Sequence, residues 1–293
     1  MAILTITSPY YLLFLAVAIV FNIAGNSLVC IVISKKKATK NWNNWLLLQL
    51  AIADLLVAVF FTPPCILIHF IEQPAGVTGN LLCKFITGGV LGWAAASASS
   101  FLLLVIAFER YNAALHPLKN LGRGRSSWSV PMVWILAILL AIPSISVLAY
   151  DVENEICAEN FPNYAISRAY YITSGCASFL LPICIMGYLY ARIILRPRDR
   201  ALVPSSSTRL VSQSRNKVTK MLISVSVIFI MCYTPPVVLV LLLHVIPGGN
   251  VTFLSVATAS ALLNSSFNPL VYTVHSRQFR RNLASLVFCC KSK

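Results

Sequence analysis

Charged side chains are so sparse along this chain that they divide it into long apolar runs. Met1–Ser34, Phe85–Phe108, Ser126–Tyr150 and Ala169–Ala191 contain no Asp, Glu, Lys or Arg, and Asn41–Ile71 is interrupted only by Asp54. Each can cross a hydrocarbon core of roughly 30 Å at about 1.5 Å per residue. Met221–Ser276 is uncharged throughout. As one helix it would reach roughly 84 Å, so Pro247-Gly248-Gly249-Asn250 is read as a turn between two spans. The pattern predicts an all-α membrane protein, a single seven-helix domain over 1–293. Helices are expected over 9–34, 42–70, 80–113, 127–150, 166–195, 214–246 and 252–275, with a short amphipathic helix over 277–288 on the inner membrane surface.

Composition agrees: 58% of residues are hydrophobic and 11% charged, and the mean hydropathy is +0.80, values foreign to a soluble chain of this length. Of the 23 Lys and Arg residues, 20 fall in the first, third and fifth connections and the C-terminal tail. By the positive-inside rule that face is cytoplasmic, which places the N-terminus outside a multi-pass membrane protein. The opposite face holds Lys84 and Arg168 against Glu72, Asp151, Glu153, Glu155 and Glu159. The formal net charge of +15 is therefore a topology signal and an attraction to anionic membrane lipids, not a nucleic-acid footprint. Met1 onward lacks the basic region and cleavage site of a signal peptide, so the first helix is expected to act as its own insertion signal.

Nine cysteines divide by location. Cys30, Cys65, Cys176, Cys184 and Cys232 lie within spans and are read as small core residues. Cys83 and Cys157 share the oxidising face without a competing outer cysteine, and a disulfide between them is expected. Cys289-Cys290 follow an amphipathic basic stretch and are candidates for palmitoylation. Asn250-Val251-Thr252 is the outward-facing sequon, with Asn250 the candidate glycosylation site. Arg196–Ser214, rich in Ser and Arg, is either a kinase-accessible loop or simply a linker.

Glu109-Arg110-Tyr111 closes the third span, placing an ion pair at the end of an uncharged helix. Gly25-Asn26 lies in the first span, and Leu50-Ala51-Ile52-Ala53-Asp54-Leu55 in the second. Trp134 marks the fourth, and Pro182 with Tyr190 the fifth. Phe229 and Cys232-Tyr233-Thr234-Pro235 mark the sixth, and Asn264 with Asn268-Pro269-Leu270-Val271-Tyr272 the seventh, followed by Phe279-Arg280. In this order, over about Gly25 to Arg281, the motifs resemble those of the rhodopsin-like G-protein-coupled receptors. Four departures stand out. Tyr233 replaces the usual Trp, and Glu109 the commoner Asp. Cys83 lies 27 residues before Arg110, two more than is usual, so the upper third helix is expected to have altered register. The tryptophan frequent after the second helix is missing from Gln73–Leu82.

The resemblance implies a receptor and not an enzyme, transmitting an extracellular ligand to a heterotrimeric G protein. Arrestin and receptor kinases are further implied partners. Glu109, Arg110 and Tyr111 would form the cytoplasmic switch, with Tyr190 and Tyr272 meeting near Arg110 when the sixth helix swings out. Phe229 and Tyr233 would transmit, and Pro235 and Pro269 would kink their helices by removing backbone hydrogen bonds. Asp54, near mid-membrane, needs a partner, a cavity or a proton. The resemblance implies that Asp54, Ser99 and Asn264, with Asn268 beside them, hold an allosteric sodium ion; the alternative is a protonated, hydrogen-bonded carboxyl. No other cofactor is implied.

The ligand end is defined mainly by exclusions. Between Lys84 and Phe108 there is no acidic residue to pair an amine, and Phe253–Val274 contains no lysine for a retinal Schiff base. His69, Glu72, Arg168, Tyr171 and His244 are candidate vestibule residues. The acidic outer face favours a short basic or amidated peptide, with a non-peptide small molecule or a lipid as alternatives. A transporter or channel is the rival from another class, but no internal repeat and no charged pore lining supports it.

Overall fold

The computed structural model describes residues 9–35, 42–115, 128–195, 221–238, 252–275, 279–281 and 284. Helix α1 runs Pro9–Lys35 and α2 Trp42–Cys65, followed by a 3-10 turn at Leu67–His69. α3 (Gly76–Leu82), a π-helical turn (Cys83–Thr87) and α4 (Val90–Leu115) form the third span. α5 is Ser129–Val147, and strands β1 (Leu148–Asp151) and β2 (Ile156–Glu159) follow it. α6 (Tyr164–Gly175), a second π-helical turn (Cys176–Leu180) and α7 (Leu181–Ile194) make the fifth span. α8 is Met221–Val238, and α9 is Thr252–His275.

Six described spans are long and apolar enough to cross a membrane. α9, which contains no Asp, Glu, Lys or Arg, packs against α1 and α2 as the seventh. Lipid offers no hydrogen bonds to a backbone, so each span must satisfy its own amides, and the helix does this within one segment. Large side chains face outward: Leu13, Val17, Val20 and Phe21 on α1, and Ile135, Ile138, Leu139 and Ile142 on α5, are exposed. The inner faces use small residues instead. Ala95, Ala96, Ser97, Ala98, Ser99 and Ser100 of α4 are all buried, which lets α2, α5 and α7 approach this central helix closely.

Several expected boundaries need correction. The helix expected over 80–113 is broken at Gly88–Gly89, where Gly89 takes a φ of +74° that favours glycine. The two residues by which the Cys83–Arg110 spacing exceeds the usual one fall in a stretch that also holds a π-helical turn at Cys83–Thr87. The helix expected over 127–150 stops at Val147. Leu148–Tyr150, read as its continuation, pairs instead with 157–159 in an antiparallel hairpin, Tyr150 opposite Cys157. The helix expected to 70 ends at Cys65, just after Pro63-Pro64. The fifth span begins at Tyr164, where the Asn163 side chain caps the helix by accepting from the Ile166 amide at 2.9 Å. Of the helix expected over 214–246, residues 221–238 are described, and of the surface helix over 277–288, Phe279, Arg280, Arg281 and Ala284 are helical.

The hairpin closes one end of the bundle. Its turn is built on Asp151, whose Oδ1 accepts from the Glu153 and Asn154 amides and whose Oδ2 accepts from Asn154 Nδ2 at 2.7 Å. The Asn154 side-chain and backbone hydrogen bonds hold the Asp151 carboxyl below its ordinary range. Cys184, read as a core residue, is exposed on the outward face of α7, whereas Cys65 is buried.

Candidate functional site

Three groups of polar side chains lie along the bundle, and the first centres on Asp54. This residue is fully buried on α2. Its Oδ1 accepts from Ser99 Oγ of α4 at 2.8 Å and from Ser265 Oγ of α9 at 2.8 Å. Its Oδ2 accepts from Asn268 Nδ2 at 2.6 Å. Three spans are thus tied through one carboxylate, because in this dehydrated interior every donor needs an acceptor. Asn264, expected in this set, makes no hydrogen bond to Asp54: both atoms of its amide are buried without a partner among the described residues. Ser265 takes the place assigned to it. Asn264 and Ser265 lie four and three residues before Asn268 on α9, so helical spacing alone does not choose between them.

Neighbouring bonds hold α9 against α1. Asn26 Nδ2 donates to the Ser265 carbonyl at 3.0 Å, and Ser266 Oγ to the Ala18 carbonyl at 3.1 Å. The oxygens around Asp54 suit a small hard cation. The carboxylate and the Ser99 and Ser265 hydroxyl oxygens that meet it are hard oxygen ligands, and Asn264 Oδ1 is a further buried oxygen without a partner among the described residues.

The second group surrounds Arg110, which is 8% exposed near the end of α4. Its guanidinium donates to Asn43 Oδ1 of α2, a contact between helices that no local motif announces. Glu109 and Tyr111 flank it, both half-buried. Tyr190 of α7 accepts from Ser226 Oγ of α8 at 3.1 Å, joining the fifth and sixth spans. Tyr272 is buried and makes a T-shaped pair with Phe279, ring centroids 6.4 Å apart, and its hydroxyl has no partner among the described residues. No hydrogen bond joins Tyr190 to Tyr272 in this arrangement.

An aromatic column joins α2, α4, the second π-helical turn and α8. Phe61 meets Trp93 edge-on at 5.3 Å, Trp93 meets Phe179 at 6.4 Å, Phe179 stacks on Tyr233 at 4.4 Å, and Tyr233 touches Phe229 at 4.7 Å. Such ring pairs add to the burial they provide. Tyr233 is 1% exposed, and its hydroxyl lacks a partner among the described residues. Pro269 is buried against Gly25, whereas Pro235 lies on the exposed face of α8.

At the hairpin end Cys83 and Cys157 form a disulfide with Cα atoms 5.6 Å apart. Gln73 Nε2 reaches Cys83 Sγ at 3.3 Å and Thr87 Oγ1 at 2.7 Å, occupying the connection from which the tryptophan is missing. Glu159 accepts from both Ser144 and Tyr171. Tyr171 therefore has a carboxylate partner that the sequence did not indicate. Arg168 is half-buried, and His69 and Glu72 are exposed. His244, Asn250, Cys289 and Cys290 lie outside the described residues.

These groups are set along a bundle of seven packed helices, the architecture of a multi-pass membrane protein. The chain belongs to the seven-transmembrane receptors of the rhodopsin family, whose sequence model matches residues 25–272. It is 29% identical to neuropeptide FF receptor 2 of Rattus norvegicus over 98% of this chain and 73% of the relative. Its identity to the RYamide receptor of Drosophila melanogaster is 26%, covering 94% of this chain and 62% of that receptor. The human histamine H2 receptor is 28% identical over 94% of this chain and 79% of its own length.

Proposed function

We propose that this receptor binds an extracellular ligand, a short peptide, at its disulfide end and passes the event to a heterotrimeric G protein at its Arg110 end. The burial of Arg110 carries this reading. A guanidinium stays charged at all accessible pH, and holding it out of water is costly unless its donors are satisfied. Asn43 supplies one acceptor from α2. A rearrangement that withdraws this acceptor presents the charge to a partner, so binding at this end and at the other bias one two-state equilibrium reciprocally. Tyr190 and Ser226 couple the fifth and sixth spans at this level. The peptide preference is supported by the acidic hairpin, by the absence of an acidic residue from Lys84 to Phe108, and by the named relatives for neuropeptide FF and RYamide.

Asp54, Ser99, Asn264 and Asn268, joined by Ser265, are proposed to hold a sodium ion. When bound, the ion neutralises the carboxylate. The chain's part is to present oxygens from three spans and to exclude water. The face carrying Arg110 is proposed to lie in the cytoplasm of a plasma-membrane protein, where arrestin, receptor kinases and anionic lipids also meet it.

The test is ligand-dependent G-protein activation in cells expressing the full chain, screened with amidated peptides, amines and lipids. Activation by a peptide, lost in Arg110→Ala, is expected. Ion current or substrate flux without G protein would sink the receptor reading, and a response confined to lipids would remove the peptide.

A further inference from the structure

The carboxylates at the hairpin end are not equivalent. Asp151 commits both oxygens to its own turn, and Glu72, Glu153 and Glu155 are exposed. Glu159 alone among these five is held by two spans: Ser144 of α5 donates to Oε1, and Tyr171 of α6 donates to Oε2. Ser144 is buried and Glu159 half-buried. Glu159 stands two residues after Cys157 on β2, so the two side chains share one face of the hairpin. The disulfide fixes that strand against the third span.

The partners of Glu159 are hydroxyls. They orient its oxygens without neutralising its charge, and among the described residues no lysine, arginine or histidine is paired with it. Each oxygen retains a lone pair, enough for a two-pronged guanidinium. Half-burial raises the strength of such a pair above that of the exposed carboxylates. The Phe161, Tyr170 and Tyr171 rings lie together beside it, with centroids 5.4 to 6.2 Å apart, and aromatic faces attract cations.

We infer that Glu159 anchors a cationic group of the ligand, by preference a guanidinium, with Ser144 and Tyr171 as positioning residues. This rests on the reading that the disulfide end is the ligand end, and it names the chemistry recognised there.

The experiment uses the full chain in cells, with surface display measured by biotinylation and G-protein dissociation as readout. The probes are short amidated peptides containing one arginine, the same peptides with citrulline, its uncharged isostere, a panel of monoamines and a panel of neutral lipids. In the wild type arginine peptides are expected to be more potent than citrulline peptides by about tenfold or more. In Glu159→Gln, which keeps the shape and an acceptor, that ratio falls to about one, while Glu153→Gln retains the wild-type ratio. Tyr171→Phe lowers the ratio partway, and it carries the test if Glu159→Gln displays poorly.

An unchanged ratio in Glu159→Gln overturns the anchor and leaves the peptide reading standing. Response to monoamines alone, lost in Glu159→Gln, keeps the anchor and overturns the peptide reading. Silence of the wild type to every cationic probe, with a response to neutral lipids, overturns both; silence to every probe overturns the anchor.

Discussion

Gly25 of α1 packs so closely on Pro269 of α9 that a Cβ there would lie 2.8 Å from the proline Cγ and 3.0 Å from its Cβ. A proline ring cannot swing aside as a long side chain can, so the helices themselves would have to separate. Replacing Gly25 with Val is expected to destabilise by about 1–3 kcal/mol, the usual cost of overpacking. The observable is a lower temperature of half-denaturation for purified protein in detergent, with Gly187→Val, whose Cβ would meet nothing within 4 Å, as the control.

Asp54 gathers donors from Ser99, Ser265 and Asn268. If the same oxygens hold sodium, replacing sodium by choline lowers wild-type thermal stability, by about 2.7 kcal/mol when the ion had been at a hundred times its dissociation constant. Asp54→Asn, which keeps the shape but not the charge, is expected to show equal melting in the two salts. Melting curves of both proteins in both salts decide the matter, and an equal sodium shift in each removes the ion from this site.

Asn43 and Arg110 make the third test. Asn43→Ala removes an acceptor from a buried guanidinium, a loss of about 1.5–3 kcal/mol for a hydrogen bond to a charged group. If the bond belongs to the resting arrangement, ligand-independent nucleotide exchange rises at equal surface display, while Arg110→Ala abolishes exchange. Basal exchange in Asn43→Ala at or below the wild-type level would show that the contact does not restrain.

The disulfide closes a loop of sequence separation 74. Cys83→Ser is expected to cost about 2–5 kcal/mol and to reduce surface display and ligand response together. Cys184→Ser, at an exposed position, changes neither. Quantitative display measured before and after mild reduction separates loss of the bond from loss of the side chain.

Asp151 gives a pH dependence of known sign. Its carboxyl is held below the ordinary 3.8 by Asn154, so the unfolded chain takes up protons first as pH falls. The stabilisation is present above 3.8 and is lost as pH drops through the lower folded value. Nicking of the hairpin by an acid-active protease should therefore be flat from neutrality down to 3.8 in the wild type and rise as the pH falls further. Asp151→Ala is expected to be nicked readily at every pH.

The spans were readable because lipid forbids charges over long stretches, a rule that acts on single segments. What required two segments was harder. Asp54 announced itself by its position, and Ser99 and Asn268 lay where polar partners were sought, but Asn264 and Ser265 are neighbours and only the fold decides which of them bonds. Asn43 reaches Arg110 from another helix. Leu148-Ala149-Tyr150 is as apolar as the helix before it, and only pairing with 157–159 makes it a strand. Glu159 looked like one of several surface acids until Ser144 and Tyr171 were seen to converge on it.

The π-helical turn at Cys83–Thr87 lies at the hairpin end and the one at Cys176–Leu180 lies deeper, where Ser178 meets Ser97 and Ser100 of α4, and such a turn carries one more residue than its α-helical counterpart. Each therefore resets the rotational phase of its helix partway along. The residues that point inward above the turn are selected independently of those that point inward below it. Substitutions that retune recognition at the mouth can accumulate without rotating Ser99 from Asp54 or Tyr190 from Ser226, so one end of the molecule is free to diversify while the other keeps its alignment.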